Sequence, residues 1–314
     1  GTPTVTLADD SDKPRAGLSV TNDGPRLDLL DENGNHRAVL GVAEGAPRLF
    51  LSDEKGQLRA SLATASDGRP ALGLNDARGK VRAGLAMSSD GTPGLNLSDD
   101  RGRPRAALSV EKDGRTRLCV LDEEGEQRAV LGTAPDGNPV VALNDHSGRP
   151  RATLSVDNDG ARLHLLDEKG GLRALLTTML DGSPGLNLAD DMGRPRAVLS
   201  VQRDGPGVFV LDENGKQRAV LGMTQDQPGV GLLDENGNPR SVLSVGKDGP
   251  ALELFNEMGK RRALLGTAPD GSPVLGLNDE RGNPRAMLMA VLPDGDPFLS
   301  LFDANGQRIW SVPY

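Results

Sequence analysis

Arginine recurs in this chain every 22 or 23 residues, at Arg15, Arg37, Arg59, Arg82, Arg105, Arg128, Arg151, Arg173, Arg196, Arg218, Arg240, Arg262, Arg285 and Arg308. A column of guanidiniums could form a basic stripe for an anionic ligand. It could equally pair with acids of its own repeats, because an Asp stands six residues before most of these arginines, as Asp122 does before Arg128. Unpaired guanidiniums stacked in a row would repel one another, so the spacing favours a structural ladder that fixes register. Each exposed pair contributes only about 0–1 kcal/mol.

Other chemistry-bearing residues are few. The histidines are His36, His146 and His164. The first two fall in Asp-x-x-Gly turns and the third on the alternate face of a strand. A zinc site needs converging ligands, and three different repeat positions do not converge by simple stacking. No Gly-x-Ser-x-Gly elbow is present. Asp31-Glu32-Asn33-Gly34-Asn35 and Asp234-Glu235-Asn236-Gly237-Asn238 resemble the start of a calcium loop, but Val42 and Val245 stand where an EF-hand needs its bidentate Glu. Asp and Asn in a turn more often cap backbone amides. The expectation is no cofactor, with a weak turn-bound calcium as the exception. Cys119 is the single cysteine; packing is its ordinary role and an intermolecular disulfide the alternative.

The elements that must position these residues are short and repeated. Ala follows the Arg in twelve of fourteen repeats, Ser241 and Ile309 being the exceptions, and Gly stands three residues before it in twelve. The unit reads L-x-L-x-D-x-x-G-x-x-R-A-x-L-x-V, then x-x-D-G-x-P. In Arg37-Ala38-Val39-Leu40-Gly41-Val42 the residues Ala38, Leu40 and Val42 alternate onto one face, and Leu49 and Leu51 share another. That period of two predicts strands, while Gly and Pro every few residues exclude helices. Asp-x-x-Gly suits a type I turn closed by a Gly at positive φ, and Asp-Gly occupies eleven of the thirteen second connectors. The expectation is all-β: fourteen tandem hairpins, about 28 strands, in a single repeat domain over 1–314. Residues 1–20 form an atypical first repeat and 290–314 an aromatic cap or docking repeat.

Composition narrows the functional classes. The chain has 314 residues, a net charge of −9 and only 2% aromatics. An acidic balance with scattered Arg argues against nucleic acid, which wants a basic stripe and stacking rings. No run of 18 apolar residues is present, so no membrane-spanning helix is expected. Gly1-Thr2-Pro3-Thr4 shows neither a basic start nor an apolar leader, as a mature secreted chain also would not. The aromatics gather late: Phe298, Phe302, Trp310 and Tyr314 fall in the last seventeen residues, beside Ile309. They read either as a cap over an open edge or as a joint that docks on Thr4-Val5-Thr6-Leu7 of another copy.

Two architectures accommodate fourteen hairpins. An elongated solenoid-like rod stacks each 22–23-residue unit on its neighbour, its Ala/Leu/Val face packing on the Leu/Leu face across about 10 Å. A seven-bladed propeller groups them as two repeats per blade. A slower alternation near 45 residues from Arg105 onward, with Gly, Asn or Ala between the Leu residues of one class of hairpin, suggests close approach of another layer. Near-equal connectors favour the rod.

The Asp-x-x-Gly-x-x-Arg hairpin, as in Asp212-Glu213-Asn214-Gly215-Lys216-Gln217-Arg218, is similar to the tyrosine–aspartate hairpin repeats of bacterial Rhs-type shell proteins and to other bacterial tandem-repeat proteins. Leu, Asn, Ser, Ala or Phe takes the place of the Tyr that names those repeats. The resemblance implies a β-rich extracellular or surface shell or fibre component, and nothing catalytic. The reading is therefore a non-enzymatic structural subunit that self-associates end to end, extracellular or at a cell surface, with a propeller binding a glycan or protein as the alternative.

Overall fold

The Asp-x-x-Gly turns explain where the strands begin and end. In the computed structural model, the Gly34 amide donates to the Asp31 carbonyl at 3.1 Å, and the Asp31 amide donates to the Asn35 carbonyl at 3.0 Å. The same pair of bonds closes all fourteen such turns. Gly34 sits at φ 82°, in the left-handed region where a Cβ is costly; in the first turn Asp12 takes that place at φ 60°. A β-bulge follows each turn, as between Leu29 and Leu30.

Residues 3–178, 181–203, 205–224, 227–290 and 296–312 are described by the structure, and none of them is helical. The chain divides into two compact units, Gly1–Asp157 and Asn158–Tyr314. The first unit holds β1 (Thr4–Ala8), β2 (Pro14–Thr21), β3 (Gly24–Leu30), β4 (His36–Ala43), β5 (Ala46–Ser52), β6 (Leu58–Thr64), β7 (Pro70–Asn75), β8 (Val81–Met87), β9 (Pro93–Ser98), β10 (Pro104–Val110), β11 (Thr116–Leu121), β12 (Gln127–Thr133), β13 (Pro139–Asn144) and β14 (Pro150–Asp157). The second holds β15 (Gly160–Leu166), β16 (Leu172–Thr178), β17 (Pro184–Ala189), β18 (Pro195–Gln202), β19 (Gly205–Leu211), β20 (Gln217–Thr224), β21 (Gln227–Leu233), β22 (Pro239–Gly246), β23 (Gly249–Phe255), β24 (Arg261–Thr267), β25 (Pro273–Asn278), β26 (Pro284–Ala290), β27 (Pro297–Phe302) and β28 (Arg308–Val312).

Within each unit every strand pairs antiparallel with its neighbours along the chain, giving an open meander. The pairing continues through β4–β5, β8–β9 and β12–β13, where four-strand blades would have to separate. No other grouping into blades survives either, because all thirteen junctions of the first unit are paired. The propeller is thereby excluded, and the fourteen tandem hairpins in an open sheet stand.

Register decides which side chains share a face. Ala38 lies opposite Leu51 and Leu40 opposite Leu49, so the two apolar segments of a repeat lie on one side of one sheet. They do not face each other across a gap, as the layered arrangement expected. Exposure agrees, since Leu40, Leu62 and Leu131 are 53%, 51% and 51% exposed. Among the described apolar residues only Ala43, Cys119 and Val274 are buried.

The small residues of alternate hairpins also have a cause within the sheet. A Cβ on Gly231 would meet Val220 Cγ1 at 3.0 Å, on the adjacent strand. On Gly73 it would meet Ser61 Oγ at 3.0 Å, likewise next door. Neighbouring strands, rather than a second layer, ask for small side chains there.

Candidate functional site

The turn edge assembles from one Asp doing two jobs. Asp53 Oδ1 accepts the amides of Lys55 and Gln57, both at 2.9 Å, which holds the turn closed. Its other oxygen lies 2.7 Å from Arg59 Nη2. Ion pairs of this kind join Arg15 to Asp9 (3.5 Å), Arg37 to Asp31 (3.7 Å), Arg82 to Asp76 (3.5 Å), Arg128 to Asp122 (3.8 Å) and Arg151 to Asp145 (3.6 Å). They continue at Arg196 with Asp190 (3.5 Å), Arg218 with Asp212 (3.7 Å), Arg240 with Asp234 (3.6 Å) and Arg285 with Asp279 (2.6 Å). Several arginines also reach the next repeat: Arg37 Nε donates to the Ser52 carbonyl at 3.0 Å and Arg82 Nε to the Ser98 carbonyl at 2.8 Å.

Exceptions show which group does which job. Asn256 replaces Asp in one turn and still accepts the amides of Met258 and Lys260, at 3.0 and 2.9 Å. The following Arg262 donates instead to the Asn278 carbonyl at 3.0 Å. In the tenth-strand hairpin Asp99 is engaged by Arg103 at 2.8 Å rather than by Arg105. Arg173 acts on Asp167 by charge alone, after the Gly171 and Lys169 amides that lower its pKa.

Backbone amides keep several of these carboxyls, such as Asp31, Asp53 and Asp234, below the usual range. The Asn35 amide is the largest cause at Asp31, and the Asn238 amide at Asp234. Asp145 falls to about 2, led by the Ser147 hydroxyl, and Asp279 to about 2, led by the Asn283 amide. The oxygens that a calcium ion would use at Asp31 and Asp234 already accept from Asn33 and Asn35, and from Asn236 and Asn238. No group of three or more His, Cys, Asp or Glu is placed to hold a metal among the described residues.

A second feature is the apolar face. One Leu or Val from each strand forms a continuous ladder, from Val5, Leu18 and Leu27 onward to Leu154 in the first unit. The second unit repeats it from Leu163 and Leu176 to Leu299 and Val312. Two residues along lies a column that alternates by size: Leu29, Ala38, Leu51, Ala60, Leu74, Ala83. The near-invariant Ala after each Arg is therefore the small member of an exposed column. A third column pairs Val, Thr, Met or Ala with Pro or Thr, as Val42 with Pro47, Met87 with Pro93 and Ala290 with Pro297. None of the three carries a charge.

The opposite face is mixed. Arg26 Nε donates to Asp28 Oδ2 at 2.7 Å, Arg26 Nη2 contacts the other oxygen, and His36 Nδ1 lies 2.9 Å from it. Burial pushes the Asp28 carboxyl up, but the Arg26 hydrogen bond and charge and the His36 contact outweigh that and leave it lowered. His36 thus begins a strand and is engaged there, whereas its place after Asp31-x-x-Gly34 predicts a turn. The signal was present in Arg26 and Asp28, two residues apart on one strand face. His146 is exposed in its turn and His164 half-buried opposite Leu175. Cys119 is buried opposite Ala107 and Val130, and burial pushes its thiol pKa up. A hollow of about 1020 Å³ lies over β19–β22, with Phe209, Val220 and Val242 around a floor of Gly222, Gly229 and Gly231.

The last hairpin departs from the pattern. Phe302 pairs with Arg308 and Leu301 with Trp310, as Leu30 pairs with His36 and Leu29 with Ala38. Ile309 consequently occupies the column position of the other arginines, Trp310 the Ala position, and Arg308 stands one place early. One residue fewer separates this turn from its Arg. Phe298 lies opposite Met289, half-buried, and Phe302 is half-buried at the bulge. Ile309 and Trp310 are 65% and 40% exposed. Tyr314 lies outside the described residues.

No family model and no curated protein matches this chain. Among solved structures it is similar to the TCP10 domain of Danio rerio CPAP in complex with a peptide of Danio rerio STIL, at 16% identity and a TM-score of 0.32, covering 65% of this chain and 96% of that one. It is also similar to a chain in the crystal structure of TcdB2-TccC3-Cdc42, at 12% identity and a TM-score of 0.19, covering 97% of this chain and 19% of that one. Both are weak likenesses and assign neither family nor function.

Proposed function

We propose that the protein is a non-enzymatic structural subunit, an extracellular or surface scaffold built as a hairpin-repeat rod for self-assembly. The observation that carries this reading is the in-register apolar ladder, repeated on every strand and left exposed. Soluble monomers seldom expose contiguous apolar patches beyond about 300–600 Å², and larger ones mark interaction surfaces. The charged groups support the same view, because the turn carboxylates are engaged by backbone amides and arginines of their own hairpins. No cofactor and no nucleic acid enter this function. An extracellular or surface setting fits the resemblance to shell repeats. Negative-stain microscopy and light scattering over a wide concentration range test it. Ordered assemblies are expected; a chain that stays monomeric, or one that carries a hydrolase activity lost in His36→Ala, overturns the proposal.

A further inference from the structure

We infer that the uncharged Leu/Ala face is a homotypic interface, against which the same face of a second copy of this chain packs. This rests on the scaffold reading above and says which surface performs the assembly.

Three observations select that occupant. The first is area. Fourteen strands at about 4.8 Å spacing extend about 65 Å, and three columns two residues apart cover about 15 Å of width, so one unit presents on the order of 900 Å². Two such faces together remove on the order of 1,800 Å² from water, inside the range of about 1,600 ± 400 Å² typical of stable protein interfaces.

The second is shape. The column Leu29, Ala38, Leu51, Ala60 alternates a large and a small side chain at every strand. A copy displaced by one strand sets each Leu over an Ala, which lets two sheets interdigitate at about 10 Å. A bilayer has no use for that alternation, and the 2% aromatic content supplies no interfacial girdle for lipid.

The third is charge. No Asp, Glu, Lys or Arg occupies the three columns, whereas the other face carries the Arg26–Asp28 pair and Arg48 over Phe50. Two copies of the apolar face meet without stranding a charge; two copies of the other face would not.

Strand β9 offers a self-controlled test. Leu95 and Leu97 lie on the apolar face, opposite Leu85 and Ala83, while Asn96 between them points to the other side and is exposed. Sedimentation velocity of the full chain is expected to show concentration-dependent association. In the Leu95→Lys, Leu97→Lys double variant the association constant is expected to fall on the order of a hundredfold, and in Asn96→Lys to stay unchanged. Should the charged variant lose its β circular dichroism, Leu95→Ala with Leu97→Ala removes the same knobs without charge, with an expected fall on the order of tenfold. Assemblies that persist equally in both double variants overturn the interface and leave the scaffold reading intact. A wild-type chain that is monomeric throughout overturns both. Flotation with phosphatidylcholine vesicles that the charged variant abolishes assigns the face to lipid and overturns the inference.

Discussion

Asp53 holds Arg59 at 2.7 Å across the turn that joins β5 to β6, while its other oxygen caps two backbone amides of that turn. Cap and ion pair are separable. Asn at this position preserves the caps, as Asn256 does naturally, and removes only a half-buried ion pair. Asp53→Asn is therefore expected to lower the thermal midpoint less than Asp53→Ala, which loses both. Melting the two variants side by side checks the order; equal losses would place the whole effect in the ion pair.

Glycine substitutions separate two kinds of requirement. Gly56 adopts φ 74° with nothing within 4 Å of an added Cβ, so Gly56→Ala meets only backbone strain, roughly 1–2 kcal/mol. Gly132 is extended, but its Cβ would press on the Thr116 carbonyl of the neighbouring strand, and overpacking of that kind costs about 1–3 kcal/mol. Urea unfolding of both variants reads the costs. Hydrogen exchange is expected to quicken across β11–β12 only in Gly132→Ala.

Acid should destabilise the fold through its turns. Several turn carboxyls, Asp31, Asp53, Asp76 and Asp99 among them, are held below the usual carboxylate value, and Asp145 and Asp279 fall to about 2. A carboxyl lowered on folding contributes fully above its unfolded value and loses that contribution as pH falls through its folded value. Stability is thus expected to hold above about pH 4 and to drop between about pH 4 and about pH 2. Urea midpoints measured across that window check the sign; a rise in stability on acidification would contradict it.

Cys119 should react slowly. Its thiol is 5% exposed and its pKa is raised by burial, so little thiolate is available at neutral pH. Modification by a thiol reagent is expected to be slow in the folded chain and to speed up on addition of urea. Rapid native labelling would place the thiol elsewhere.

The scarcity of buried apolar residues has a calorimetric counterpart. Unfolding of the charged β9 double variant, freed of its partner, is expected to show a heat-capacity change below the usual ~12–15 cal/mol/K per residue, because little apolar surface is exposed anew. Differential scanning calorimetry measures it directly.

Much of this architecture was legible in local chemistry. Asp-x-x-Gly names its own turn, and alternation names its own strands, so all 28 strands and the hairpin pairing follow from spacing. Pattern could not say what covers Ala38, Leu40 and Val42, because a strand facing a second layer and one facing a partner carry the same residues. Small residues such as Gly231 misled for a related reason: their crowding comes from Val220 in the next strand, a neighbour that only register identifies. The position of Arg308 was hidden by one missing residue after its turn, and the strand role of His36 by the bulge beside it. Asp28 carries no motif of its own, because Arg26 lies two residues before it and His36 reaches it only through strand pairing.

Among the described residues of each unit, a strand touches only the strands before and after it in the chain. Sequence separation between contacting residues is consequently short, which is unusual for a protein made wholly of strands. Slow folding in β proteins comes from closing long loops before distant strands can pair, and the paired strands described within each unit are neighbours along the chain. Each hairpin can form as soon as its own 22 or so residues have left the ribosome, and then template the next.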